Sequence, residues 1–282
     1  MTSQLNITNT ADPLYVTKSN PNLKNSYEYY IYGQYRDKFG RTLFNSSLNF
    51  RLEQNAIASG YIYNRETGVR TVTPENVNGN WKANASSGID FPLFKEDKWR
   101  IKDNISYFYN HSVDLNGTNE SLVATRSVVN THNVEDELSI TYRPNDKYEF
   151  GAKGKLNYQN STSERKDFEL INAFDFNYGL TAVMELPWNM QVATDVTMYS
   201  RRGYSDRNMN TNEFVWNARI SKRCMKGNLS IMFDAFDLLG NLSNVRRYIN
   251  AQGKTETFYN VIPSYGLLHV IYRWNKKPKN KQ

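Results

Sequence analysis

Apolar and polar residues alternate one by one along most of this chain, and that period of two restricts it to β-strands with one apolar face. From Lys147 to Tyr158 one face carries Tyr148, Phe150, Ala152, Gly154, Leu156 and Tyr158; the other carries Lys147, Glu149, Gly151, Lys153, Lys155 and Asn157. The next stretch sets Phe174, Phe176, Tyr178, Leu180, Ala182 and Met184 against Asp175, Asn177, Thr181 and Glu185. Met190, Val192, Val196 and Met198 follow, then Phe214, Trp216, Ala218 and Ile220, then Leu229, Ile231, Phe233 and Ala235. The first half is less regular but keeps the rule, with Phe44, Leu48, Phe50 and Leu52, and with Trp99, Ile101, Ile105, Tyr107 and Tyr109. No stretch sustains the 3.6-residue period of a helix. The pattern predicts about eleven strands, near 26–37, 42–63, 69–91, 98–113, 130–143, 146–160, 167–186, 188–201, 211–224, 228–238 and 263–274. Many exceed the soluble-protein mode of about 5–6 residues.

The connections carry a second signal. Tight ones fall at Asp37 to Arg41, Pro144 to Asp146, Pro187 to Asn189 and Met225 to Asn228, and longer polar ones at Asp114 to Val129, Asn160 to Lys166, Arg202 to Asn210 and Leu239 to Ile262. Short turns at one rim, long loops at the other and long strands with one apolar face describe an antiparallel up-and-down transmembrane β-barrel segment. In lipid every backbone donor and acceptor must be paired within the protein, which forces such strands together. A mean hydropathy of −0.71 and the lack of any run of about 18 apolar residues exclude membrane-spanning helices, while a barrel dilutes its apolar residues with inward polar ones. Aromatics reach 14%, and those near strand ends suit the level of lipid headgroups. A soluble β-sandwich that binds glycans alternates in the same way and is the main alternative fold.

Charge and motifs narrow the function further. Of the net +7, four charges come from Lys276, Lys277, Lys279 and Lys281 in the basic tail 275–282, so no clustered basic stripe for nucleic acid remains in the body. The single Cys224 rules out an internal disulfide and a cysteine-based zinc site. The chain has three His, His111, His132 and His269, and no G-x-S-x-G, H-E-x-x-H or phosphate loop. Neither Ser112 beside His111 nor the acidic run Glu135, Asp136, Glu137 builds a catalytic or metal constellation, so no enzyme activity and no cofactor are expected. The opening MTSQLNITNTADPLYV lacks the charged and apolar regions of a signal peptide. Loop residues able to stack on or hydrogen-bond to a ligand are Arg201, Arg202, Tyr204, Arg246, Arg247 and Tyr248.

Two stretches carry a family resemblance. The segment Leu229 to Trp274, LSIMFDAFDLLGNLSNVRRYINAQGKTETFYNVIPSYGLLHVIYRW, resembles the C-terminal end of outer-membrane β-barrel domains in TonB-dependent-receptor-like proteins, where a strand runs into an FDLL element and an IPSYGLLHVIYRW strand closes the barrel. The segment Asp12 to Tyr30 resembles the loop before a barrel strand in that family, with Ser19 where the family usually has glycine. The resemblance implies that residues 1–282 are the C-terminal part of an outer-membrane barrel, and that Tyr272 and Trp274 form the signal read by barrel-assembly machinery. It further implies partners in outer-membrane lipid and lipopolysaccharide, uptake of a nutrient or metal complex, and a missing N-terminal half with its plug. A self-contained small barrel, as passive channel or barrel enzyme, is the alternative function.

Overall fold

The computed structural model describes residues 8–118, 125–165, 168–243, 245–250, 253–260 and 262–274. Its strands are β1 (Thr8–Asp12), β2 (Tyr15–Lys18), β3 (Tyr27–Phe39), β4 (Thr42–Gln54), β5 (Ala56–Tyr63), β6 (Arg70–Val77), β7 (Asn80–Pro92), β8 (Trp99–Thr118) and β9 (Thr125–Asn145). They continue as β10 (Tyr148–Ser163), β11 (Ile171–Leu186), β12 (Met190–Arg202), β13 (Asn212–Cys224), β14 (Leu229–Phe236), β15 (Val245–Asn250), β16 (Gly253–Phe258) and β17 (Tyr265–Tyr272). Eleven of them form one antiparallel meander in the order β3-β4-β7-β8-β9-β10-β11-β12-β13-β14-β17. The sheet is open: among the described residues β3 pairs with β4 alone and β17 with β14 alone.

Pairing registers carry the alternation from strand to strand across the sheet, with Asp37, Asp103 and Asp136 as polar exceptions on the apolar face. Asp37, Phe44, Ile89, Asp103, Leu138, Gly154, Tyr178, Met198 and Phe214 are successive partners on nine strands. That row starts near the short-turn end of β3 and finishes near the long-loop end of β13, so the register climbs about one residue per strand, a strand tilt of about 35°. Aromatics recur ten positions apart on the same face at Phe91 and Trp81, Trp99 and Tyr109, and Tyr148 and Tyr158. At that tilt ten residues rise about 27 Å, close to the apolar height of outer-membrane barrels. The lower ring includes Trp99 stacked on Tyr142 at 4.3 Å, and the upper ring Trp81 against Tyr109 at 4.7 Å and Tyr158 against Phe174 at 4.6 Å.

The predicted strands 42–63 and 69–91 are each divided. Asn55 adopts a φ of 53° and Gly79 a φ of 109°, the left-handed region that asparagine and glycine tolerate best. Pairing nonetheless continues in the same register across both breaks, from Glu53↔Asn80 to Ala56↔Val77. Beyond the breaks the hairpin tip turns over, so that β5 pairs in parallel with the end of β8 and β6 in parallel with β2. Ala56, Ala58, Val77, Val113 and Leu115 pack there with Val128 as a small apolar core above the band. The predicted loop Asp114 to Val129 is mostly strand, because β8 and β9 extend to form a wall of that core. Likewise Asp12 to Tyr30 contains β2 rather than only loop, and the excursion after β14 holds the separate hairpin β15–β16.

Candidate functional site

The face opposite the apolar band is predominantly polar, with a few apolar residues such as Val183, Ala193 and Val215 among charged and amide side chains. On β10 to β13, Asn157, Asp175 and Arg201 form one row, and Lys155, Asn177, Tyr199 and Glu213 the next. These residues, with Leu242, line an open cavity of about 250 Å³ near the long-loop rim. Lys155 Nζ lies 2.7 Å from Glu135 Oε1, and Arg201 Nε lies 3.9 Å from Asp175 Oδ1. Asn133 Nδ2 donates to Asn157 Oδ1 at 2.9 Å. Cations and carboxylates therefore alternate along the wall, which leaves it hydrated and charge-balanced rather than a single-sign funnel.

The loop after β12 is built into this site. Tyr204 Oη donates to Asp175 Oδ1 at 2.8 Å, and burial, reinforced by the Asp175 charge and that hydrogen bond, pushes the phenol pKa well above the usual tyrosine value. Asn210 ties the loop to itself, accepting from Tyr204 N at 3.1 Å and donating to Tyr204 O at 2.8 Å. Met209, 1% exposed, anchors the loop from below. Gly203 has a φ of 82°, and a Cβ there would run into Asn172 O.

Of the residues singled out from the sequence, Arg201 and Tyr204 thus come together around Asp175. Arg202 points to the opposite face and fastens the rim, its Nη1 donating to Arg201 O at 2.6 Å and Thr211 O at 3.1 Å, its Nη2 to Asn212 Oδ1 at 2.8 Å. Arg246, Arg247 and Tyr248 lie in β15, and their side chains are outside the described residues. Tyr272 ends β17 opposite Leu229, and Trp274 follows at the short-turn rim, 84% exposed. His111 and Ser112 are neighbours in β8 and so face opposite sides of the sheet. His111 Nδ1 is held by Asn130 Oδ1 at 2.7 Å. Glu135 and Glu137 share the polar face, as alternation requires, and among the described residues no group of three acidic, His or Cys side chains could hold a metal.

Sequence reasoning missed three features. Asp234, buried on β14, receives Arg219 Nε from β13 and lies 3.0 Å from His269 Nε2 on β17, so one carboxylate staples the last three strands together. The aspartate of the FDLL element, Asp237, accepts from Asn241 N at 3.1 Å and Leu242 N at 2.8 Å and shapes the exit from β14. Asp103 and Asp136 interrupt the apolar face on adjacent strands, and Asp136 Oδ1 is buried without a hydrogen-bond partner. The first two show in the sequence as single acidic residues inside otherwise apolar stretches, and Asp103 as the polar gap between Ile101 and Ile105 in an otherwise apolar series.

No curated protein and no solved structure matches the chain. Residues 2–135, reaching from before β1 into β9, match the model of an outer membrane protein beta-barrel family, and this similarity supports an outer-membrane β-barrel protein.

Proposed function

We propose that this chain forms part of the wall of a TonB-dependent-receptor-like outer-membrane transporter that takes up a nutrient or a metal complex. The observation that carries the reading is the polar inner wall with its cavity at the long-loop mouth, set against an apolar band about 27 Å tall between two aromatic rings. The charge-balanced rows around Asp175 suit a polar solute that must bind at the mouth and leave toward the other rim. Tyr272 and Trp274, placed at the short-turn rim, suit recognition by the assembly machinery, with outer-membrane lipid and lipopolysaccharide around the band.

The test is removal of the gene from its native host, followed by accumulation assays with labelled iron chelates, cobalamin, oligosaccharides and peptides, with and without a proton-motive-force uncoupler. The expected result is loss of one solute class, with the remaining wild-type uptake sensitive to the uncoupler. Uptake of that class unaffected by the uncoupler would refute the energised transporter and identify a passive channel.

A further inference from the structure

The polar wall changes character along the sheet. On β10 to β13 cations and carboxylates alternate, but in the half nearer the long-loop rim one row of paired positions from β3 to β10 holds Tyr32, Asn49, Asn84, Phe108, Asn133 and Gln159. The row beside it holds Gln34, Ser47, Ser86 and Ser106 before it reaches Glu135 on β9. Up to that point both rows carry only amides, hydroxyls and aromatic rings. At about 4.8 Å per strand the longer row runs about 24 Å along the curve of the sheet.

The charges bordering this strip are mostly paired with one another. Glu28 bonds Arg51, and Glu135 bonds Lys155; Lys82, one row nearer the rim than Asn84, stands as a single cation. Within the strip, hydrogen-bonding capacity is only partly used. Ser47 Oγ and Ser86 Oγ lie 2.7 Å apart, and Asn49 Nδ2 donates to Tyr30 Oη at 3.3 Å, whereas Asn84 and Ser106 hold no side-chain hydrogen bond among the described residues. At the β3 end the rings of Tyr30 and Tyr32 lie parallel within 5°, 6.3 Å apart and half-exposed. At the other end Asn133 leads into the cavity through its bond to Asn157.

An amide or a hydroxyl both donates and accepts, so an uncharged field of them suits a solute that presents donors and acceptors in pairs and carries no charge itself. A carboxylate or phosphate on this wall meets one ammonium, that of Lys82, and many amide oxygens that face its lone pairs. The phenol rings add flat apolar faces with polar edges, which fit the C–H face of a sugar ring whose hydroxyls lie at its rim.

We propose that this strip binds a neutral oligosaccharide, with Tyr30 and Tyr32 as the stacking platform and Asn49, Asn84 and Asn133 as hydrogen-bonding contacts, and directs it toward the cavity at Asp175. The inference rests on the reading of the chain as an uptake wall and names its solute class.

The test is calorimetric titration of the full chain in detergent micelles with neutral hexasaccharides of α-glucan, β-glucan, xylan and mannan type, beside two charged probes, ferric citrate and a zwitterionic Gly/Ser hexapeptide. At least one hexasaccharide should bind, and more tightly than either charged probe. Asn84→Ala and Tyr32→Ala should each weaken it about 3- to 10-fold, Asn84→Ser should weaken it less, and Gly33→Ala on the opposite face should leave it unchanged. If Tyr32→Ala fails to fold, Asn84→Ala decides, since Asn84 is exposed and holds no side chain in place. Binding of no hexasaccharide, tighter binding of a charged probe, or hexasaccharide binding indifferent to Asn84→Ala overturns the proposal. The titration needs no energised membrane, so the two readings fail separately. Hexasaccharide binding with uptake indifferent to the uncoupler keeps the strip and refutes the energised transporter; uncoupler-sensitive uptake of iron chelates by a chain that binds no hexasaccharide does the reverse.

Discussion

Leu180 offers the sharpest test of which face meets lipid. It lies on β11 between Ala152 of β10 and Val196 of β12, about midway between the two aromatic rings, and is exposed on the apolar face. Thr181, the next residue, points to the polar face, and Lys153 sits opposite Gly179 at the same height. Arginine at the bilayer midplane of a barrel costs about 2–4 kcal/mol when it faces lipid, a factor of roughly 30 to 1,000 in the folding equilibrium. On a hydrated inner wall a similar change stays within about 0.5 kcal/mol. Leu180→Arg and Thr181→Arg are therefore expected to differ by at least about 1.5 kcal/mol, although they occupy adjacent positions. The assay is urea titration of the full chain in thin-bilayer vesicles, followed by tryptophan emission and by the heat-induced shift in gel mobility. Equal midpoints for the two variants would refute the assignment of the apolar face to an apolar environment.

Other perturbations probe the site and the strand ends. Asp234→Ala removes the shared acceptor of Arg219 and His269; since Arg219 is half-exposed the expected loss is about 1–2 kcal/mol, with faster amide exchange confined to β13, β14 and β17. Gly179→Ala sets a Cβ against Val196 O and Thr197 Oγ1, and is expected to cost about 1–3 kcal/mol in the same titration, whereas Gly33→Ala, with open space around it, should be nearly silent. Met209→Ala empties the anchor of the 203–211 loop and should speed protease cleavage in that loop without changing vesicle insertion. The raised Tyr204 pKa means that its O–H to Asp175 is intact below the ordinary phenol value and is lost only as pH rises beyond it. In ultraviolet titration of the tyrosines, Tyr204→Phe should therefore remove absorbance change from the most alkaline end, and loss of an ordinarily titrating phenol instead would refute the buried contact.

Much of the architecture was legible because β-strands in a two-sided environment write their period into the chain. Residues 146–160, 188–201 and 211–224 were located almost to their ends, since each has one apolar and one polar neighbour surface and a tight turn beside it. Where a strand leaves the membrane the contrast between faces fades, and the breaks at Asn55 and Asn78-Gly79 were hidden by patterns that run straight through them. The site was only half legible. Arg201 and Tyr204 could be named as polar loop-end residues, but Asp175, their shared partner, is an ordinary polar-face residue until strand register sets it beside Arg201.

Period, turn spacing and strand length thus determined from sequence alone that this chain is a long-stranded antiparallel sheet with one apolar and one polar side, because those properties depend on residues close together in the chain. The register and tilt that align the aromatic rings, the carboxylate of Asp234 that gathers three strands, and the turned-over tip of β5 and β6 were decided only by tertiary structure. Each depends on which strands lie side by side, and side-by-side placement is a relation between distant segments that no local pattern encodes.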